Sequence, residues 1–470
     1  MDLGDACLPP VEADRLRPSP LVAAHRLPNI LRNAALALKT LDRVELISII
    51  DFDGNVSDLR NLLVTPAPLL EAVDVRIPSE SEPIHLPATL FANHAPRLRY
   101  ISLGNVAPFP WSSPFPTIVS LKLSQPCLTP QSVSELLDTL RNLPMLEELE
   151  LERCLPVFTQ GFAAAADLIA PGNLKKLSLY DDVEKCAGFL QHLRMPWSSV
   201  VLHLGCYTDG DATVFRVLYP YIAPVHSPRQ ITAMEVESSY RGQILFRGHL
   251  GEVENICDGP ATDAQPDLSL SFGWEDLSAG RTAHMMQELA AVVGVRELRY
   301  LHIDLEDSIW SDPPEFPESI WLDTFAACPN LEGIKAEHNS GISLCRVLTA
   351  VTLDEKVWRR TDVEDGPLYP TGALIWPELR AISLYRASMN HVYDDGRSLR
   401  RVLAQSLRDR DERECPVDAL DFLSCQVKPR WHRRFEHIVE EVTCWDDDDE
   451  DFEFVDSVED SEDGGEEAAS

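Results

Sequence analysis

The sequence predicts an α/β solenoid: strand, turn, helix and turn, repeated along the chain and stacked side by side. Three observations predict it. A short apolar phrase, L-x-x-L-x-L, recurs eleven times in order. Several copies follow one another at an identical interval. The segments between copies carry apolar residues at helical spacing.

The clearest copy is Leu146-Glu-Glu-Leu149-Glu-Leu151-Glu-Arg-Cys154-Leu155, which fits the leucine-rich-repeat pattern at each fixed position. Before it come Leu70-x-x-Val73-x-Val75, Leu98-x-x-Ile101-x-Leu103 and Ile118-x-x-Leu121-x-Leu123. After it come Leu174-x-x-Leu177-x-Leu179, Leu202-His-Leu204, Ile231-x-x-Met234-x-Val236 and Leu298-x-x-Leu301-x-Ile303. The series closes with Leu331-x-x-Ile334-x-Ala336, Leu379-x-x-Ile382-x-Leu384 and Leu420-x-x-Leu423-x-Cys425. Val73 to Ile101, Leu121 to Leu149 and Leu149 to Leu177 are each 28 residues. Later intervals stretch to 33 and 48, so the second half carries insertions.

Each phrase has a strand's period. Leu149 and Leu151 face inward, while Glu148, Glu150 and Glu152 face outward. Between phrases, Ser132-Val-Ser-Glu135 reads as a capping box, with Leu136, Leu137, Leu140 and Leu143 as the apolar stripe behind it. Residues 282–295 and 397–407 read as helices in the same way. Trp431 to Val442 reads as a last helix with Trp431, Phe435, Ile438, Val439 and Val442 on one face, closing the solenoid. One unit cannot bury its own apolar face, so units stack, with strands on the concave side and helices on the convex side.

Composition bounds the function. The chain has 470 residues, 76 Asp+Glu against 41 Lys+Arg, and a net charge of −35. Nucleic acids and membrane surfaces are themselves anionic, so neither is an expected partner. No basic-then-apolar leader and no membrane-spanning apolar run is present, which gives an expectation of cytoplasm or nucleus. Eleven cysteines lie singly without a C-x-x-C, as in a chain with reduced, mostly buried thiols. Residues 1–28 read as an N-terminal connector, 29–443 as the repeat solenoid and 444–470 as a disordered acidic tail. That tail holds fourteen carboxylates from Asp446 on; removing them leaves −21 on residues 1–445.

No phosphate loop, nucleophile elbow or zinc-binding helix motif occurs. No catalytic residue, cofactor site or metal-ligand set is therefore expected, and the chain reads as a non-enzyme. An active site hidden in the insertions near 251–266 or 359–372 is the minor alternative. His203 and His302 fall at outward strand positions, where solvated surface histidines are the ordinary case. Trp111 and Trp197, in two Pro-Trp-Ser-Ser phrases, read as core rings. Cys127, Cys154 and Cys425 read as small buried apolar residues. The candidate partner-binding surface is the concave face: Tyr100, Ser102, Lys122, Glu148, Glu150, Glu152, Lys176, Ser178, Tyr180, Tyr300, His302 and Asp304. Tyrosine gives rigid contact area at low entropic cost, and solenoids bind through this extended face. The expected partner is a protein with a basic surface, and the chain is expected to be a monomer.

Thr65-Pro-Ala-Pro-Leu-Leu-Glu71, His94-Ala-Pro-Arg-Leu-Arg-Tyr-Ile-Ser-Leu103, Phe109-Pro-Trp-Ser-Ser-Pro114 and the closing Val442-Thr-Cys-Trp-Asp446 together resemble the large fungal (basidiomycete) group of F-box leucine-rich-repeat proteins. Arg17-Pro-Ser-Pro-Leu-Val22 resembles the connector that follows their F-box helices. The resemblance implies a substrate receptor tethered to a cullin-type ubiquitin ligase through a Skp-type adaptor. The F-box itself has only a faint echo here, Leu8-Pro9-Pro10, so adaptor and cullin are expected only if an F-box exists upstream. The alternative is a stand-alone repeat scaffold or inhibitor with no ubiquitin-ligase link.

Overall fold

In a computed structural model the chain is a leucine-rich-repeat solenoid built on one 16-stranded, mostly parallel sheet. The described residues lie between 23 and 445. Outside them fall 1–22, 25–43, 51–60, 78–83, 108–114, 125–129, 159–168, 196–198, 208–216, 222–230, 240–242, 251–265, 274–278, 306–315, 351–373, 446–470 and the single positions 62, 88, 131, 219 and 426. Trp111, Trp197, Cys127, the resemblance's connector and most of the insertions lie outside the described residues.

The strands are β1 (Ala23–Ala24), β2 (Leu46–Ile50), β3 (Ala72–Arg76), β4 (Ile84–His85), β5 (Tyr100–Gly104), β6 (Val106–Ala107), β7 (Ser120–Ser124), β8 (Glu148–Glu152), β9 (Lys176–Asp182) and β10 (Val201–Tyr207). Then follow β11 (Ala233–Ser239), β12 (Gln243–His249), β13 (Leu268–Gly273), β14 (Tyr300–Asp304), β15 (Gly333–Glu337), β16 (Ala381–Tyr385), β17 (Ala419–Leu423) and β18 (Glu441–Trp445). The described helices include α1 (Val133–Arg141), α2 (Val183–Leu190), α3 (Ala279–Val293), α4 (Asn339–Val347), α5 (Leu399–Asp411) and α6 (Pro429–Glu436).

Three devices recur along the described coils. First, a four-residue turn ending in leucine, in four cases x-Pro-x-L, precedes the strand. Leu98, Leu146, Leu174, Leu331 and Leu379 each donate a backbone N–H to the residue three before, at 3.1–3.3 Å. Proline sits second in the turns at Pro96, Pro144, Pro329 and Pro377, where its fixed φ suits the bend. Second, the two inward positions of each strand are in register. Val73, Ile101, Leu121, Leu149, Leu177 and Leu202 form one column, and Val75, Leu103, Leu123, Leu151, Leu179 and Leu204 the next. All twelve are buried. Third, the strand exits through a residue in the left-handed region: Asn105, Arg153, His338, Arg386 and Ser424 have φ of 51–53°. Each passes its N–H to the next strand, as in Arg153 to Tyr180 O at 2.6 Å and His338 to Tyr385 O at 2.8 Å.

In two coils the Asn/Cys position of the repeat is filled by a thiol that bonds backward. Cys154 Sγ donates to Leu123 O at 3.6 Å, and Cys425 Sγ to Leu384 O at 3.1 Å. Each thus satisfies a carbonyl of the preceding coil. On the helix side, α1 is capped as its sequence predicts, Ser132 Oγ accepting from Glu135 N at 3.1 Å. Ser132→Ala is expected to lower stability by about 1 kcal/mol, read from the urea midpoint; no change would mean that the cap contributes nothing here.

Three expectations change, and one stretch of the sheet leaves the simple repeat. β11, β12 and β13 form an antiparallel excursion, in the sheet order β10-β13-β12-β11-β14. β12 alternates as Ile244-Leu-Phe246-Arg but lacks the leading L-x-x, so the repeat pattern does not reveal it. The final phrase is shifted by three residues. Leu420 pairs with Ile382 and Phe422 with Leu384, so the phrase is Val417-x-x-Leu420-x-Phe422, with Cys425 at the Asn/Cys position. The last helix ends at Glu436, and Val442 lies in β18, parallel to β17. The β-branched pair Val442-Thr443 suits a strand, and the i, i+4 pattern up to Val439 is fulfilled by a turn instead. Finally, the sheet begins at β1, within the segment read as a connector, and runs two residues past 443.

Candidate functional site

Outward residues of the strands line the concave face in rows fixed by the parallel register. The middle row reads Asp74, Ser102, Lys122, Glu150, Ser178 and His203 across β3 to β10. Carboxylates dominate this face. Asp74, Glu148, Glu150, Glu152, Glu235, Glu237, Asp304, Glu337, Asp421 and Glu441 stand against Arg76, Lys122, Lys176, Arg247 and Lys335.

The candidate residues fall into two groups. Nine lie together on β5, β7, β8 and β9. Tyr100 is 47% exposed at the edge of its row. Lys122 Nζ sits 3.4 Å from Glu150 Oε2, and Ser120 Oγ donates to Glu148 Oε2 at 3.1 Å. Ser178 is buried beneath its neighbours rather than offered to a partner. Tyr180 lies flat over Gly205. A Cβ there would stand 2.2 Å from Tyr180 Cδ1, so glycine at 205 is what lets this ring lie against the sheet. The other three, Tyr300, His302 and Asp304, sit five strand spacings away on β14, about 24 Å across the face. Tyr300 OH donates to Glu332 Oε2 at 3.3 Å, and Glu332 is also gripped by Arg299 at 2.7 and 2.8 Å.

Between and beside these groups lies a polar cluster that the sequence reading missed. Arg247 Nη1 bridges Glu235 and Glu237 at 3.0 and 2.6 Å, and His249 Nε2 is 3.7 Å from Glu235. Burial opposes the charge on Glu235, but His249 and Arg247 beside it prevail and hold its carboxyl at about 2. On the other side of β14, His302 Nε2 and Glu337 Oε1 are 2.8 Å apart, and Lys335 Nζ is 3.2 Å from the same oxygen. Asp304 Oδ1 is shielded from solvent and has no hydrogen-bond partner among the described residues. Burial and the nearby Glu337 charge push the Asp304 carboxyl up to about 6. The signals for Lys335 and Glu337 were present in the phrase Ile334-Lys-Ala-Glu337. Arg247 and His249 belong to the strand that lacks the phrase.

His203 is the other perturbed group. Burial, then the charge of Lys176, lowers its pKa to about 4, and its Nε2 has no hydrogen-bond partner among the described residues. The folded state therefore holds it neutral while the unfolded chain takes up a proton below about 6.5. Its contribution to stability is intact above that value and is lost as pH falls from about 6.5 towards 4. His203→Gln should be less acid-sensitive over this range by on the order of 2 kcal/mol, discounted for partial exposure. Parallel urea titrations of the two proteins at pH 7 and pH 4.5 would show it; parallel curves would refute it.

Most of the described thiols are buried. Cys328 and Cys345 are fully buried, and burial pushes both thiols far up, towards the protonated, inert form. Among the described residues no helix is long and apolar enough to cross a membrane.

Repeating coils, inward leucine columns and an open, charged strand face define a leucine-rich-repeat solenoid. Comparison with protein-family models and with curated proteins gives no match. Among solved structures the chain is similar to that in the crystal structure of a TLR13–ssRNA13 complex, at 11% identity, covering 80% of this chain and 48% of that one, with a TM-score of 0.29. The chain thus spans about half the length of that one, and so distant a likeness carries no argument about what is bound.

Proposed function

We propose that the chain is a non-catalytic protein-binding module whose concave face receives a basic surface of a partner protein, in the cytoplasm or nucleus. The observation that carries this reading is the two-to-one excess of carboxylates over cations on the outward strand positions. A rigid face of one dominant sign attracts the opposite one and rejects its own. Tyr100, Tyr180 and Tyr300 supply contact area between the charges. The sequence resemblance extends the proposal to the substrate-recognition part of an F-box ubiquitin-ligase receptor. A free-standing scaffold or inhibitor is the reading if no adaptor is engaged.

Retention of a Lys/Arg-rich peptide pool on the immobilised chain, against an Asp/Glu-rich pool, tests the proposal. Basic peptides should be held preferentially, and their retention should fall between low and physiological salt. Equal retention of both pools, or retention indifferent to salt, would overturn it. Co-purification with a Skp-type adaptor and a cullin separates the two versions. Recovery of the adaptor supports the ligase receptor, and its absence supports the free-standing scaffold.

A further inference from the structure

Strands β14 and β15 end side by side, and three ligating side chains meet there. Asp304 closes β14, Glu337 closes β15, and His338 is the left-handed residue through which the chain leaves β15. One carboxylate oxygen from each acid and one imidazole nitrogen of His338 all lie within 4.8 Å of one another. Glu337 is only 6% exposed, so its carboxylate is held in place rather than solvated. His302 at 2.8 Å and Lys335 at 3.2 Å fix its Oε1 from behind. Glu237, next to Asp304 across β11, is occupied by Arg247 at 2.6 Å. The oxygen left unsatisfied is Asp304 Oδ1, which is shielded from solvent and has no hydrogen-bond partner among the described residues.

We propose that Asp304, Glu337 and His338 bind a divalent transition-metal ion of the Zn²⁺ type on the concave face. The donor set argues for this class. An imidazole with two carboxylates suits zinc and its neighbours, whereas calcium and magnesium take oxygen ligands alone. The contacts of Glu337 with His302 and Lys335 are the outer-shell bonds that commonly orient a ligating carboxylate. Three protein ligands leave a position open at the surface, where water or a donor from a partner protein would complete the coordination. The shielded Asp304 Oδ1 would then gain the partner that the described residues do not give it.

The test uses the full chain under reducing conditions at pH 7.5, titrated with Co²⁺ as a spectroscopic stand-in and with Zn²⁺ in calorimetry. The expected result is one site per chain, with visible cobalt bands of nitrogen/oxygen ligation and no thiolate charge-transfer band. Asp304→Asn and His338→Gln should each weaken binding at least about tenfold, while far-UV circular dichroism stays that of the parent. Asp304→Asn removes a poorly solvated charge, so it is the variant expected to fold at least as well as the parent. Absence of binding, unchanged affinity in both variants, or a thiolate band from the exposed Cys444 would overturn the proposal.

Discussion

Replacing Arg410 with methionine is expected to lower stability by about 3 kcal/mol, the largest single effect we foresee away from the leucine columns. Arg410 lies in the last turn of α5 and is fully buried, yet the described residues offer its guanidinium carbonyls rather than a carboxylate. Nη1 donates to Leu348 O at 3.1 Å and Ile375 O at 3.3 Å, and Nη2 to Trp376 O at 2.7 Å. Those carbonyls stand on either side of residues 351–373, the insertion that stretches one repeat interval to 48 residues. Leu348 O belongs to the end of α4, where the last carbonyls lack helical partners and carry the negative end of the dipole. Burial lowers the Arg410 pKa to about 10, so the side chain stays charged at neutral pH. Methionine fills the volume but removes all three donated bonds, and of the three carbonyls Trp376 O alone keeps another donor among the described residues, the Leu379 N–H at 3.1 Å. Lysine keeps the charge without the fork, and is expected to fall between the two. The measurement is urea unfolding followed by far-UV circular dichroism. A methionine variant within about 0.5 kcal/mol of the parent would show that the clamp is dispensable.

Neutralising the acidic strand β8, as Glu148→Gln, Glu150→Gln and Glu152→Gln together, is expected to weaken capture of a basic partner about 30-fold. Half-exposed charge contacts contribute roughly 0.5–1 kcal/mol each, and three of them act on one row of the partner. The same change should flatten the salt dependence of binding. Stability should move little, because among the described residues these carboxylates make the Ser120 contact and the partly exposed Lys122 pair. The inward Leu149 and Leu151, at 2% and 0% exposure, are untouched. Affinity of the triple variant for Lys/Arg-rich peptides, measured at two ionic strengths, decides the point. An unaltered affinity would place the binding surface elsewhere, and the β14–β15 end of the face would then be the region to substitute next.

Much of this molecule was legible before folding was considered. L-x-x-L-x-L reports both the strand period and the side each residue faces, so the burial of Leu149 and Leu151 and the outward row of Glu148, Glu150 and Glu152 follow from spacing alone. The Ser132 cap follows from chemistry local to four residues. Where the phrase was diluted, the reading slipped. Leu420 begins an apparent phrase with Leu423 and Cys425, and only pairing with β16 shows that it occupies the second position. Val442 fits the helical stripe begun by Trp431 equally well, and the open edge of β17 is what draws it into a strand.

The site divides in the same way. Spacing along the chain determined which side chains point outward, and therefore that Tyr300, His302 and Asp304 share a face. Only the tertiary structure decided which of them meet chemistry from other coils. Asp304 and Glu337 are 33 residues apart in the chain, and β12 joins the sheet by an antiparallel pairing that no repeat announces. The physical reason is that periodicity is a local property of the backbone, whereas the charge felt by a carboxylate is a sum over neighbours through space. Strand register alone brings those neighbours together.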